Sequence, residues 1–177
     1  MSRKTDGVSV ALSPALPEDA GLMTEIVVDA FREEVARYGH GPRNYDSVEL
    51  RRKCIEDGNR YFKIMLGGEP VGVIGTFLKG NDCRIGVAAI RPSFQNAGVG
   101  SAAFELLEKE FPAVRRFILD TPYRSFRNHH FYEKLGFRKF RETLEDPATG
   151  FMLFHMEKIV KGKEEAETTA PNRGAAA

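Results

Sequence analysis

Residues 91–111, RPSFQNAGVGSAAFELLEKEF, decide how the rest of the chain is read. The stretch leaves an apolar run at 84–90 (RIGVAAI) and crosses a polar loop holding Gly98 and Gly100. It then becomes a helix with Ala103, Leu107 and Phe111 on one stripe. Glycines let main-chain amides approach a ligand without a Cβ in the way. A helix that starts there leaves its first amides unpaired and directs a partial positive charge at the loop. Together the two effects make a site for a phosphate or diphosphate.

Working outward, residues 7–12 (GVSVAL) alternate as a short strand. Pro17 opens a helix as a first-turn proline, with Glu18 and Asp19 at its positive end. Met23, Val27, Phe31 and Val35 recur every four residues, with Leu22, Ile26 and Ala30 beside them, so this helix has one wide apolar face. Residues 38–45 (YGHGPRNY) break it. Asp46 and Glu49 form a D-x-x-E capping box for a second helix that ends near Gly58. Strands are expected at 61–66, 71–78 and 84–90, the first two joined by the turn GGEP. After the helix at 98–111 come a strand at 116–120, a helix at 125–135 capped by Gly136, and strands at 137–143 and 151–158. The order βααβββαβαββ predicts an α/β layer structure on a mixed sheet.

The chain has 177 residues, 42% hydrophobic and 29% charged, which fits one domain with a core. Residues 5–160 are read as that domain. Residues 161–177 hold no large apolar side chain and are expected to be a disordered tail. Twenty-six Lys and Arg against 25 Asp and Glu leave a net charge of +1, so no global pull toward nucleic acid or an acidic membrane is expected. Cys54 and Cys83 form neither a metal-ligand pattern nor a disulfide framework. No apolar run is long enough to span a bilayer and the first residues lack a signal core, so a cytoplasmic protein is expected.

Residues 98–103 also match the dinucleotide fingerprint G-x-G-x-x-A, with Asp120 near the spacing of a ribose-binding acid. In that fold the first glycine follows its strand almost directly, whereas here 91–97 intervene. Only one strand-helix-strand unit surrounds the loop. A Walker-type loop fails because no Lys-Ser/Thr pair follows Gly100.

A second motif, NHHFYEKLGF at 128–137, narrows the choice. Its pairing with Q-x-x-G-x-G at 95–100 resembles the GCN5-related N-acetyltransferase (GNAT) superfamily. The likeness spans roughly 71–140, and LDTP at 119–122 looks like a bacterial subgroup. It implies a mostly antiparallel sheet of six to seven strands, about four flanking helices, and a splayed strand pair at the cofactor cleft. It implies acetyl-CoA as cosubstrate, with no metal, and acetyl transfer to a primary amine of a small molecule or peptide. The alternative is a non-catalytic acyl-CoA-binding module on the same fold.

By that resemblance the amides of Gln95, Asn96, Ala97, Gly98, Val99, Gly100 and Ser101 would hold the diphosphate. The backbone of Ala88, Ala89 and Ile90 would pair with pantetheine, and one of those amides would polarise the thioester carbonyl. Tyr132 matches the family's general acid. Where the family often has an asparagine, seven residues before the tyrosine, this chain has Ser125, with Asn128 one turn before Tyr132. Many relatives carry a glutamate on the strand before the loop. Arg84 stands at that position and cannot act as a base. Glu33, Glu34, Tyr38, His40 and Tyr45 lie where relatives form the acceptor pocket. Arg91, Arg115, Arg124 and Arg127 gather on the coenzyme side. His129 and His130 are adjacent on a helix and cannot share a metal. A homodimer through the stretch FMLFHM, 151–156, is a further expectation.

Overall fold

Apolar residues on alternating positions of 60–90 fold into an antiparallel meander, and two helices cover each face of the sheet that grows from it. The computed structural model describes residues 9–39 and 41–160, and the side chain of Tyr38 lies outside that description. The described strands are β1 (Val10–Pro14), β2 (Arg60–Leu66), β3 (Glu69–Lys79), β4 (Asp82–Ile90), β5 (Arg116–Pro122), β6 (Arg138–Asp146) and β7 (Phe151–Ile159). The helices are α1 (Ala20–Tyr38), α2 (Val48–Glu56), α3 (Val99–Glu110) and α4 (Phe126–Lys134). The strands form one seven-stranded sheet in the order β1-β2-β3-β4-β5-β7-β6. Every pair is antiparallel except β4 with β5. This is the mixed, mostly antiparallel architecture expected.

Period-two alternation assigns the faces. On one face Phe62, Ile64, Ile74, Phe117, Leu119 and Met156 pack with Val99, Phe104 and Leu107 of α3, and Phe131 and Tyr132 of α4 lie against them. On the other, Tyr61, Val73 and Ala89 pack with Met23, Ile26 and Val27 of α1. Helix α2 is tied down by Arg51, a buried arginine whose guanidinium donates to the Thr24 hydroxyl and, at 3.1 Å, to the Tyr45 carbonyl.

Two irregularities shape the middle of the sheet. Gly75 pairs with Val87 but Thr76 with Ile85, so Gly86 is an extra residue in β4, a β-bulge. A Cβ there would stand 2.4 Å from the Phe77 ring, so only glycine fits. The β4–β5 pairing runs from Asp82↔Arg116 to Ile85↔Leu119 and stops. Beyond the bulge the two strands part, as the splayed pair required.

Several boundaries differ from the sequence reading. β1 lies at Val10–Pro14, and residues 7 and 8 fall outside the described part. Pro17 opens a 3₁₀ turn, Pro17–Asp19, and the α-helix begins at Ala20. The cap of α2 is Ser47, whose hydroxyl accepts from the Leu50 amide at 3.2 Å. Asp46 sits one residue too early to reach that amide. Strand β6 continues to Asp146. The FMLFHM stretch is in β7, between β5 and β6, so it is not a free edge; β6 is. Residues 161–177 lie outside the described part.

Candidate active site

The glycine loop is held open by its own backbone. Residues Pro92–Phe94 make a 3₁₀ turn, after which Asn96 (φ 60) and Gly98 (φ 80) both adopt left-handed conformations. Gly98 has nothing within 4 Å of a notional Cβ, so its glycine is dictated by φ rather than by space. Gly100 is dictated by space. A Cβ there would meet the Phe131 ring at 3.0 Å and Ile90 Cδ1 at 3.3 Å, where the first turn of α3 passes α4 and the end of β4. The first helical bond of α3 runs from the Ala102 amide to the Gly98 carbonyl. The amides of Val99, Gly100 and Ser101 in the first turn thus have no intrahelical acceptor.

Gln95 has a different place. Its own amide donates to the Pro92 carbonyl at 3.3 Å, and its side-chain amide donates to the Ile90 carbonyl at 2.7 Å. From α4, Arg127 donates to Gln95 Oε1 at 2.8 Å and to Asn96 Oδ1 at 3.1 Å. Gln95 therefore braces the loop, and Arg127 brings a cation to its rim.

The gap between β4 and β5 is lined by main chain. The Arg91 amide donates to the Val71 carbonyl at 2.9 Å, which sets the alternation of the antiparallel ladder. Val73 and Ala89 exchange bonds, so the backbone of Ala89 is turned away from the gap. Ala88 and Ile90 direct theirs toward β5, which has no paired residue opposite them. On the far side of the gap Thr121, in β5, is buried with its hydroxyl unpartnered. An added extended chain with amide groups fits this gap: Ala88 and the amide of Ile90 supply strand-like partners, the Ile90 carbonyl being taken by Gln95, and Thr121 adds an orphan hydroxyl. The open first turn of α3 fits an anion at its end.

Asn128 and Tyr132, four residues apart, share one face of α4, and Ser125 immediately precedes the helix. Tyr132 is held by Phe104 at 5.9 Å and Phe137 at 5.9 Å between ring centroids. Removal from solvent pushes its phenol up to about 12, and the nearby Glu34 carboxylate adds to the rise. Ser125 donates to Glu34 Oε1 at 3.1 Å. Because α1 and α4 lie on opposite faces of the sheet, this bond crosses at the open end of the parted strands. Of the residues expected in the acceptor pocket, His40 and the Tyr38 side chain lie outside the described part. The Tyr45 ring packs edge-on to Phe31 at 6.4 Å and fills the space beside Gly41.

Sequence reasoning did not single out Thr121, nor the polar row on the uncovered half of the sheet. Arg84 is not solitary: it donates to Asp120 of β5, and His155 of β7 donates from Nδ1 to Asp120 Oδ1 at 2.7 Å. Only the fold brings these three strands together. Among the described residues no group of three or more His, Cys, Asp or Glu side chains gathers as a metal site. No described helix is long and apolar enough to cross a membrane.

Comparison with known proteins gives a consistent result. The family model described as acetyltransferase (GNAT) family matches residues 23–137. No curated protein matches the chain. Among solved structures, an acetyltransferase from Thermus thermophilus is similar at 24% identity and a TM-score of 0.71, covering 86% of this chain and 97% of that one. PaiA N-acetyltransferase from Thermoplasma acidophilum, solved in complex with coenzyme A, is 14% identical with a TM-score of 0.68 over 86% and 99% of the two chains. The ribosomal-protein-S18-alanine N-acetyltransferase of Escherichia coli is 16% identical with a TM-score of 0.65 over 95% and 100%. At these identities the likeness carries the fold.

Proposed function

This chain belongs to the acetyltransferase (GNAT) family, which uses acetyl-CoA, and from that premise we propose that it acetylates a primary amine of a small molecule or peptide by direct attack. The observation that carries this is the register: pairing between β4 and β5 stops at Ile85↔Leu119, and the gap opens toward the bare first turn of α3. The acceptor's nitrogen and the acyl carbon would meet inside that gap.

When bound, acetyl-CoA supplies an acyl group activated as a thioester. The chain's part is positioning and electrostatics. The amides of Gly98, Val99, Gly100 and Ser101 bind the diphosphate, with Asn96, Ala97 and Arg127 at its margin. Ala88 and Ile90 align the pantetheine, and the Ala88 amide is turned to hold the carbonyl oxygen. Ser125 and Asn128 flank the same channel from α4.

Tyr132 holds a proton for the departing sulfur. A phenol at about 12 looks too weak beside a thiol near ~8.5, an uphill transfer of roughly 5 kcal/mol. The sulfur, however, is released into the same desolvated space, which raises its basicity as it raises that of the phenol. The mismatch narrows, and Tyr132 stays protonated across the neutral range.

The reading keeps the protein in a reducing compartment, the cytoplasm, supported by two unpaired cysteines, Cys54 and Cys83. The test is coenzyme A release measured over a panel of alkyl amines, amino acids, polyamines and peptide N-termini, beside calorimetric titration of acetyl-CoA. Turnover on at least one amine supports the transferase. Tight binding with no turnover on any of them supports a non-catalytic acyl-CoA-binding module.

A further inference from the structure

Arg84, on β4 beside the gap, has only donors and cannot take a proton, so the group that removes the acceptor's proton must stand elsewhere. We propose that it is Asp120, positioned by His155 and Arg84; this rests on the transferase reading above.

Asp120 is the first residue of β5 past the last β4–β5 pair, so it sits where the strands part. Its neighbours Leu119 and Thr121 are buried toward α3 and α4. Asp120 therefore projects from the opposite face, on the half of the sheet that no described helix covers, with 23% of its side chain exposed. An amine approaching the gap from that face meets it. The carboxylate is fixed from both sides. Arg84, across the strand pair, donates to Oδ2, and His155 Nδ1, from β7, donates to Oδ1 at 2.7 Å. His155 is fixed in turn. Its Nε2 stands 2.9 Å from the Thr143 hydroxyl of β6, which donates onward to the exposed Glu145. The imidazole is mostly buried, with its side chain 14% exposed. Both of its nitrogens are occupied, so it orients the carboxylate and does not itself reach an amine. Two oxygens with fixed donors keep their remaining lone pairs in one orientation.

The step balances as follows. An ammonium acceptor gives one proton to an Asp120 oxygen, and its freed lone pair forms a C–N bond to the acyl carbon. The C–S bond breaks, and the sulfur takes the Tyr132 proton. The nitrogen's second proton returns to Tyr132. The proton on Asp120 leaves to solvent from the open face. The net change is an ammonium and a thioester converted to an amide, a thiol and one proton.

Glu34 is the competitor, since it too stands at the open end of the gap. The discriminating experiment uses two nucleophiles with acetyl-CoA at pH 7.5: the best alkyl amine from the panel, which is an ammonium at that pH, and hydroxylamine, which is already neutral. Asp120→Asn should lower the alkyl-amine rate by about 100-fold while the hydroxylamine rate stays near wild type. His155→Phe should show a smaller loss with the same selectivity, partly restored in His155→Asn, which keeps a donor near the Nδ1 position. The double variant Asp120→Asn, His155→Phe should be no slower than Asp120→Asn alone. Equal losses on both nucleophiles would reduce Asp120 to a structural ion pair and overturn the assignment. So would a selective loss in Glu34→Gln with Asp120→Asn unaffected. A wild-type protein that binds acetyl-CoA but acetylates neither nucleophile fails at the transferase reading itself, and the assignment falls with it.

Discussion

Replacing Gly86 with alanine tests how the bulge builds the cleft. The new Cβ would lie 2.4 Å from Cε2 and 3.1 Å from Cδ2 of Phe77, where ordinary carbon contacts are ~3.5–4.0 Å. The Phe77 ring must therefore move by roughly 1 Å. It cannot simply slide toward Tyr61. That ring stands edge-on at 6.2 Å and already fills the space over Gly75, where a Cβ would be only 2.3 Å from it. Overpacking of this kind costs about 1–3 kcal/mol. For a chain of this size each kcal/mol lowers the melting temperature by about 2–4 °C, so a drop of about 2–12 °C is expected by thermal denaturation. Truncating the obstacle should relieve the clash, so Gly86→Ala in a Phe77→Leu background should destabilise by clearly less than Gly86→Ala alone. Acetyl-CoA affinity should fall in the single variant, because the residues that turn Ala88 and Ile90 into the gap follow directly after the bulge. A Gly86→Ala protein with wild-type melting temperature and affinity, or strict additivity in the double variant, would refute the reasoning.

Other expectations follow from the same geometry. Gly100→Glu places bulk against Phe131 and Ile90 and negative charge at the loop, and should abolish acetyl-CoA binding in calorimetry while circular dichroism stays native. Tyr132→Phe should reduce kcat by about 100-fold with the KM for acetyl-CoA little changed, read in a coenzyme A release assay. Burial pushes the Cys83 thiol from 9.0 up to about 12. Between those values the unfolded chain loses its proton first, so stability falls as pH rises through that window. At pH 10.5 the loss is about 2 kcal/mol from this group; denaturant titrations from pH 8 to 10.5 should show a steeper decline in wild type than in Cys83→Ala.

Much of this was legible in the sequence because local chemistry dictates it. The glycine at 98 answers to a left-handed φ, and the stripe Ala103, Leu107, Phe111 answers to helical period, so the loop and its helix could be read from one stretch. The order of strands and helices was legible for the same reason. Sheet neighbours were not. That β7 inserts between β5 and β6, placing FMLFHM inside the sheet, depends on a hairpin folding back across β5, which no residue pattern specifies. The Arg84–Asp120–His155 row was hidden for the same cause, since its members are 36 and 35 residues apart in sequence and meet only through strand pairing. The bulge at Gly86 shows the intermediate case: a splayed strand pair was expected, but where the strands part depends on how the Phe77 and Tyr61 rings pack.

The most direct test is a crystal structure with coenzyme A. The account predicts the diphosphate within hydrogen-bonding distance of the Gly98, Val99, Gly100 and Ser101 amides, and the pantetheine arm running between β4 and β5 to end beside Tyr132. A diphosphate seated anywhere else on the surface, with those amides still solvated, would contradict it.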